Sequence, residues 1–362
     1  MKISLSVTHD CNLRCEYCYA GEKSSCTMDI ETAKKIIDFI ILITPPKEDL
    51  SIGFFGGEPL MELGLIDEII EYIYTKNLPH PISFSITTNG TLLNSSAIDL
   101  IKKHGINISV SIDGPQDIHD KFRKDKYGNG TFNRISKNIK NLANHIEYFQ
   151  VNSVFTPLTI KRLDETVRFL IDNELYRIHL NPDVSIEWGE ESFDDIADGY
   201  QNIADTYIEM FNQGQEIAIN LLDSKLILFF KGGYEERDKC GMGETEFGFA
   251  PSGNVYPCER LIGDDTDEQM NMGNVHTGVN LLHRCVIGRK EANENEECKE
   301  CELQKYCMNW CGCTNYHMTG SASKASAMMC YSERHAIKAA KYVFESLQDN
   351  ELFAQHMLNY SN

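Results

Sequence analysis

From Met1 to about Pro182, short apolar runs alternate with segments whose apolar residues recur at three- and four-residue steps. The runs Ile3–Val7, Leu50–Phe55, Ile82–Thr87, Asn107–Ile112, Phe149–Phe155 and Arg177–Leu180 predict strands. Between them, Ile30–Leu42, Leu65–Lys76, Ser95–His104, Phe132–His145 and Leu163–Asn173 predict helices. About six βα units in series argue an α/β fold with a parallel sheet and place function at the C-terminal ends of the strands. This pattern alone does not separate a barrel from a doubly wound sheet. Phe193–Gln213 predicts a bridging helix. The stretch Gly241 to Ser332 is rich in Gly, Cys and polar residues with weak periodicity, a composition that usually needs metal to hold a fold. Ser332–Leu347 predicts a closing helix and Asn350–Asn362 a tail. The resulting division is 1–182, 183–239, 240–331 and 332–362.

Composition narrows the classes. A chain of 362 residues, 42% hydrophobic and 24% charged, suits one large domain plus a smaller appendage. A net charge of −20 and the lack of any basic run argue against a nucleic-acid partner, because phosphate binding rests on Lys and Arg. The longest apolar candidate, Ile36 to Ile43, is far too short to span a bilayer, so no membrane partner is expected. Met1 leads straight into Lys2-Ile3-Ser4-Leu5 with no apolar signal segment, which predicts a cytoplasmic protein. The 13 cysteines are then expected as metal ligands rather than disulfides. No His pair at helical spacing and no Ser-His-Asp order stands out.

Directly after the first strand come Cys11, Cys15 and Cys18, in the stretch Cys-Asn-Leu-Arg-Cys-Glu-Tyr-Cys. Three thiolates on a cubane leave one iron open to a ligand, whereas an electron carrier takes four. A zinc loop is the alternative, but zinc sites pair C-x2-C arms, and only Cys26 is near enough to offer a second arm. The spacing C-x3-C-x2-C, with an aromatic before the last cysteine, resembles the signature of the radical S-adenosylmethionine (SAM) enzymes. That resemblance implies a partial (β/α)6 TIM-like barrel. It also implies a [4Fe–4S] cluster whose open iron chelates SAM, and reductive cleavage to a 5′-deoxyadenosyl radical.

Further residues follow from the resemblance. Gly56-Gly57-Glu58-Pro59, after the second strand, is similar to the family motif that holds the amino group of SAM, assigning that role to Gly56, Gly57 and Glu58. Ser111 and Arg123 resemble residues contacting SAM's carboxylate and ribose, with Arg134 a competitor for Arg123. Asn89 and Asp113 belong to the cofactor site or are only turn formers. Asn152 points to adenine or ribose by position. Tyr17 either contacts the adenosine or packs.

A second array, Cys240, Gly253, Cys258, Cys298, Cys301, Cys307, Cys311 and Cys330, reproduces C…G-x4-C…C-x2-C-x5-C-x3-C…C. It resembles the small cysteine-rich SPASM domain, which binds two auxiliary clusters, making three [4Fe–4S] clusters in all; a zinc ribbon is the alternative. The resemblance assigns Cys298, Cys301, Cys307 and Cys330 to one cluster and Cys240, Cys258 and Cys311 to the other. The position where a sulfatase-maturing relative has a further cysteine is Glu246 here. The second cluster is thus open, or closed by Glu246, Cys313 or Cys285. Cys26 and Cys285 read as small buried hydrophobes.

The resemblance implies an oxidoreductase acting on a small precursor peptide and installing a cross-link, a thioether being favoured. Formylglycine formation by an anaerobic sulfatase-maturing enzyme is the alternative within the family. An iron–sulfur carrier or a structural zinc protein is the alternative outside it, disfavoured by the Gly-Gly-Glu cradle. Expected partners are a flavodoxin- or ferredoxin-like one-electron reductant and, since Met1 stands ten residues before Cys11, a separate leader-peptide-binding protein.

Overall fold

The computed structural model describes residues 1–282 and 296–361. Two compact units divide them. The first comprises Met1–Ser111, His119–Phe149 and the described part of Gly241–Arg289. The second comprises Ile112–Ile118, Gln150–Cys240 and the described part of Lys290–Asn362. The expected boundary after residue 182 does not coincide with this division.

In the first unit, β1 (Lys2–Thr8) lies between β2 (Leu50–Gly56) and β8 (Glu246–Phe249), both parallel to it. Outside β2 come β3 (Ile82–Thr88) and β4 (Asn107–Ser111), also parallel, and β9 (Val255–Tyr256) closes the β8 edge antiparallel. β2 buries Leu50, Ile52 and Phe54 on one face, as its alternating sequence requires. The helices Ile30–Ile43, Leu63–Thr75 and Ser95–His104 connect the strands. Asp29 caps the first, accepting from the Thr32 N–H at 2.8 Å. Asn94 caps the third in the same way, and Gly105, at φ 61°, ends it.

In the second unit β5 (Gln150–Phe155), β6 (Arg177–Pro182) and β7 (Ala218–Ile219) are parallel. The helices Phe193–Asn212, Asn220–Lys231 and Ala327–Leu347 share a core in which the Tyr200 hydroxyl and Ser332 Oγ lie 2.7 Å apart.

Two expectations need correction. The region of weak periodicity contributes β8 to the main parallel sheet. Its register opposite Lys2–Leu5 is set by the buried Phe247 and Phe249 rather than by length. The expected tail is instead the helix Glu351–Ser361, which buries Phe353, His356 and Met357. Among the described residues no helix is long and apolar enough to cross a membrane.

Candidate functional site

Two residues beyond the end of β1 at Thr8, Asp10 Oδ1 accepts from the Cys11 N–H at 2.7 Å and turns the chain into the cysteine loop. The loop then pairs antiparallel with the segment after His119: the Arg14 N–H donates to Lys124 O at 2.7 Å and Glu16 N–H to Phe122 O at 3.1 Å. Cys11 is buried, Cys15 half-buried and Cys18 exposed, and none of the described cysteines is in a disulfide. Burial raises the Cys11 pKa, and the Leu13 N–H opposes this from 3.4 Å. Asn89 Nδ2 points at Cys11 Sγ from 3.8 Å, and Lys23 Nζ at Cys18 Sγ from 3.1 Å. Donors aimed at sulfur stabilise thiolate ligands, so this loop fits the cluster expected of it. Lys23 was not singled out from the sequence, because a lone lysine in a polar loop carries no pattern.

The Gly56-Gly57 pair serves the protein's own backbone first. A Cβ on Gly57 would stand 1.9 Å from Asp10 O, and one on Gly56, at φ +124°, 2.3 Å from Thr8 O. The Gly57 N–H donates to Thr8 O at 2.8 Å and the Glu58 N–H to Asp10 O at 2.9 Å, locking this segment to the chain that enters Cys11. The Glu58 side chain is turned inward and fully buried. It accepts from Thr88 Oγ1 at 2.6 Å, Asn89 N at 2.8 Å and Leu60 N at 3.0 Å. Burial pushes its pKa up to about 7 against these three donors. The carboxylate expected to hold SAM's amino group is thus buried with three protein donors on it.

Asn89 also serves the loop, donating to Asn12 Oδ1 at 2.9 Å while its Oδ1 accepts from Thr91 N at 2.9 Å. Arg123 is buried with its guanidinium 5.3 Å from the Tyr17 ring centre, whereas Arg134 is exposed. Of the two arginines, only Arg123 adjoins the cysteine loop through this contact. Ser111 is buried at the end of β4. In the second unit, Asp113 Oδ1 accepts from the Val154 N–H at 3.0 Å, and Asn152 Oδ1 accepts from Gln150 Nε2 at 2.8 Å. Both expected cofactor contacts thus have protein partners.

Cys298, Cys301, Cys307 and Cys330 line one open cavity in the second unit. The Cys307 thiol is pushed up to about 12 by burial and by the Glu333 carboxylate. Cys311 caps the helix Gly312–Thr319 with its Sγ 3.7 Å from that of Cys313, and this contact together with burial raises its pKa well above the ordinary value. Cys240 is half-buried in the second unit, and Cys258 is buried after β9 in the first. Glu246 starts β8 with its carboxylate 3.8 Å from Lys2 Nζ. Cys26, expected buried, is exposed, and its carbonyl accepts from the His9 N–H at 2.8 Å. Cys285 lies outside the described residues.

The spacing of the thiols bears on the metal. With Zn–S bonds of about 2.3 Å, two thiolates on one zinc stand at most about 4.6 Å apart. Among the described residues no three thiols lie that close, no trio of them falling within 4.8 Å of one another. The trio that does, Asp67, Glu71 and His104, is cross-linked by Lys103 Nζ at 2.7 Å and 2.9 Å from the two carboxylates.

Residues 5–170 match the family model described as the Radical SAM superfamily. The chain carries a radical SAM domain. Its cofactors are SAM and a [4Fe–4S] cluster. An uncharacterized protein of Methanocaldococcus jannaschii is 35% identical over 167 residues, 46% of this chain and 57% of that protein, so the chain spans little over half of that relative. A cysteine-type anaerobic sulfatase-maturating enzyme of Clostridium novyi is 24% identical over 323 residues, covering 83% of this chain and 85% of its own. The solved structure of native anSMEcpe with bound AdoMet superposes with a TM-score of 0.76 at 21% identity, covering 100% of this chain and 99% of that one. Streptococcus suis SuiB bound to its precursor peptide SuiA gives 0.64 at 17% identity, covering 91% and 75%. These two likenesses show that the radical SAM domain and the remainder of the chain share one α/β fold with such enzymes.

Proposed function

We propose that this chain oxidises a peptide or protein side chain by hydrogen-atom abstraction, and that its favoured product is a thioether cross-link in a ribosomally made peptide. One observation carries the reading: four thiols gather around a single cavity apart from the Cys11 loop. SAM cleavage alone has no use for a second cluster, whereas a net oxidation needs somewhere for the substrate's second electron. When bound, SAM and its cluster supply the abstracting radical, and the second cluster supplies the electron sink. The chain's own residues hold these groups. The Leu13 N–H, Asn89 and Lys23 face the thiols of the loop, Arg123 stacks against Tyr17 beside it, and Cys298, Cys301, Cys307 and Cys330 line the other site.

Formylglycine formation is the second reading, supported by the sulfatase-maturating relative that spans most of the chain. Glu246 in place of a further cysteine favours the first. Mass spectrometry of a cysteine-containing peptide, treated with anaerobic enzyme, SAM and reductant, separates them. A thioether removes two hydrogens and keeps the sulfur, whereas formylglycine loses the same two hydrogens and also exchanges the sulfur for oxygen. Cys11→Ala/Cys15→Ala/Cys18→Ala is expected to abolish deoxyadenosine release yet retain iron at the downstream thiols. Continued deoxyadenosine release would sink the proposal, and loss of all iron would sink the second cluster.

A further inference from the structure

The helix Ala327–Leu347 sends two charged side chains, Glu333 and the exposed Arg334, to the wall of the four-thiol cavity, and the helix Asn220–Lys231 sets Lys225 against the first of them. Lys225 and Glu333 are 2% and 7% exposed, and Lys225 Nζ lies 2.6 Å from Glu333 Oε2. The ammonium also donates to Tyr306 O at 3.2 Å, and the same carboxylate oxygen accepts from the Met308 N–H. Tyr306 and Met308 flank Cys307, so the pair grips both peptide groups around that thiol. Glu333 lines the cavity itself, one helical turn beyond Cys330.

Buried ion pairs are poor devices for stability, since desolvation offsets most of their attraction. This one is placed to act on a neighbour. We propose that Lys225 and Glu333 are a positioning pair for the cluster of Cys298, Cys301, Cys307 and Cys330, fixing Cys307 and balancing charge at the cavity so as to set the cluster's reduction potential. The inference rests on the reading that these four thiols hold a cluster.

Cluster potentials follow local charge and hydrogen bonding, and the low dielectric of a buried site strengthens both. Without the ammonium, the buried Glu333 carboxylate would lose its ion-pair partner beside a site gaining an electron, driving the potential more negative, because Arg334 on the same wall is exposed and screened by solvent. Without the carboxylate, the ammonium would drive it more positive. Removing both should bring it back toward the native value.

The test is a redox titration of the full-length, anaerobically reconstituted chain by electron paramagnetic resonance, in a Cys11→Ala/Cys15→Ala/Cys18→Ala background. The signal lost in Cys298→Ala/Cys301→Ala identifies the cluster. Lys225→Met is expected to shift its midpoint negative, Glu333→Gln to shift it positive, and the double variant to lie between them. Lys225→Arg, which keeps the charge, should stay near native. Equal shifts in one direction, or no shift, would overturn the pairing. If Lys225→Met does not fold, Glu333→Gln decides alone: a positive shift supports the pairing and an unmoved midpoint overturns it. If Cys298→Ala/Cys301→Ala loses neither iron nor signal, the cluster reading fails first.

Discussion

Glu58 shows how far residue identity can be trusted to give a residue's role. The Gly-Gly-Glu-Pro order marks the right place in the chain, because the glycines admit contacts that a Cβ would block. Where the carboxylate points depends on Thr88 and Asn89 at the end of β3, about 30 residues away, and no local pattern announces them. The cysteines were legible for the opposite reason: metal ligation fixes both residue type and spacing. Glu58→Gln should lose an acceptor at one of three internal donors, costing about 1–3 kcal/mol of unfolding free energy. The exposed Arg134→Ala should stay within about 0.5 kcal/mol of native. The sign with pH follows from the raised carboxyl. The folded chain binds that proton more tightly than the unfolded chain, so this stabilisation is complete below the ordinary 4.5 and is lost as pH rises through about 7. Denaturant melts should therefore find the gap between wild type and Glu58→Gln widest below pH 4.5, narrowing between pH 4.5 and about 7, and level above that. A variant of unchanged stability with weakened SAM binding would instead place the carboxylate's role at the cofactor.

Among the elements, the expected strands and helices up to β6 were readable because period and length agree, and their observed ends differ from expectation by at most two residues, while the seven-residue helix Gln116–Phe122 was missed. β8 was missed: four residues give too short a period to see. The C-terminal helix was missed for a different reason. Its buried face is Phe353, His356 and Met357, and a histidine in the middle reads as a break in the apolar stripe. In the structure, His356 Nδ1 meets Glu216 at 2.7 Å and Nε2 meets Asp223 at 3.2 Å. Asp223 also accepts from the Tyr207 hydroxyl at 2.6 Å. Burial alone would lower the His356 pKa, but the hydrogen bonds and charges of Asp223 and then Glu216 outweigh it and hold the pKa above the ordinary 6.5. The stabilisation is thus full below 6.5 and is lost as pH rises through the folded value. Amide exchange of Glu351–Ser361, corrected for its intrinsic pH dependence, should accelerate between pH 6 and pH 8. His356→Gln should remove most of that pH dependence, with a loss of about 1.5–3 kcal/mol at pH 6. If exchange there were independent of pH, the imidazolium would not be what docks this helix.

At the scale of the whole molecule, the chain draws on two sources of order. Ile3, Leu5, Ile52, Phe54 and Ile86 on the parallel strands of the first unit are all but fully buried, and burial at about 25 cal/mol per Å² of apolar surface accounts for an element that folds without help. The stretch from Cys298 to Cys311 is different, for none of its residues is buried beyond the half-buried class. Its apolar contacts are few, such as Tyr306 on Phe229 and Trp310 on Tyr234, while Cys298, Cys301 and Cys307 within it converge with Cys330 on one cavity. The same contrast explains what was readable: packing leaves a period in the sequence, and metal ligation leaves a spacing. The division into two units leaves neither, since it arises where distant segments such as β1 and β8 meet. If metal replaces packing here, stripping iron under anaerobic conditions should speed exchange across Cys298–Cys311 at least tenfold, equivalent to about 1.4 kcal/mol. Exchange in β1, β2 and β3 should barely change. Hydrogen-exchange mass spectrometry of the iron-loaded and chelator-treated chain makes the comparison directly. Equal protection of Cys298–Cys311 in both states would mean that its backbone is held by the surrounding helices, and the four thiols would then be lining a cavity they do not need metal to form.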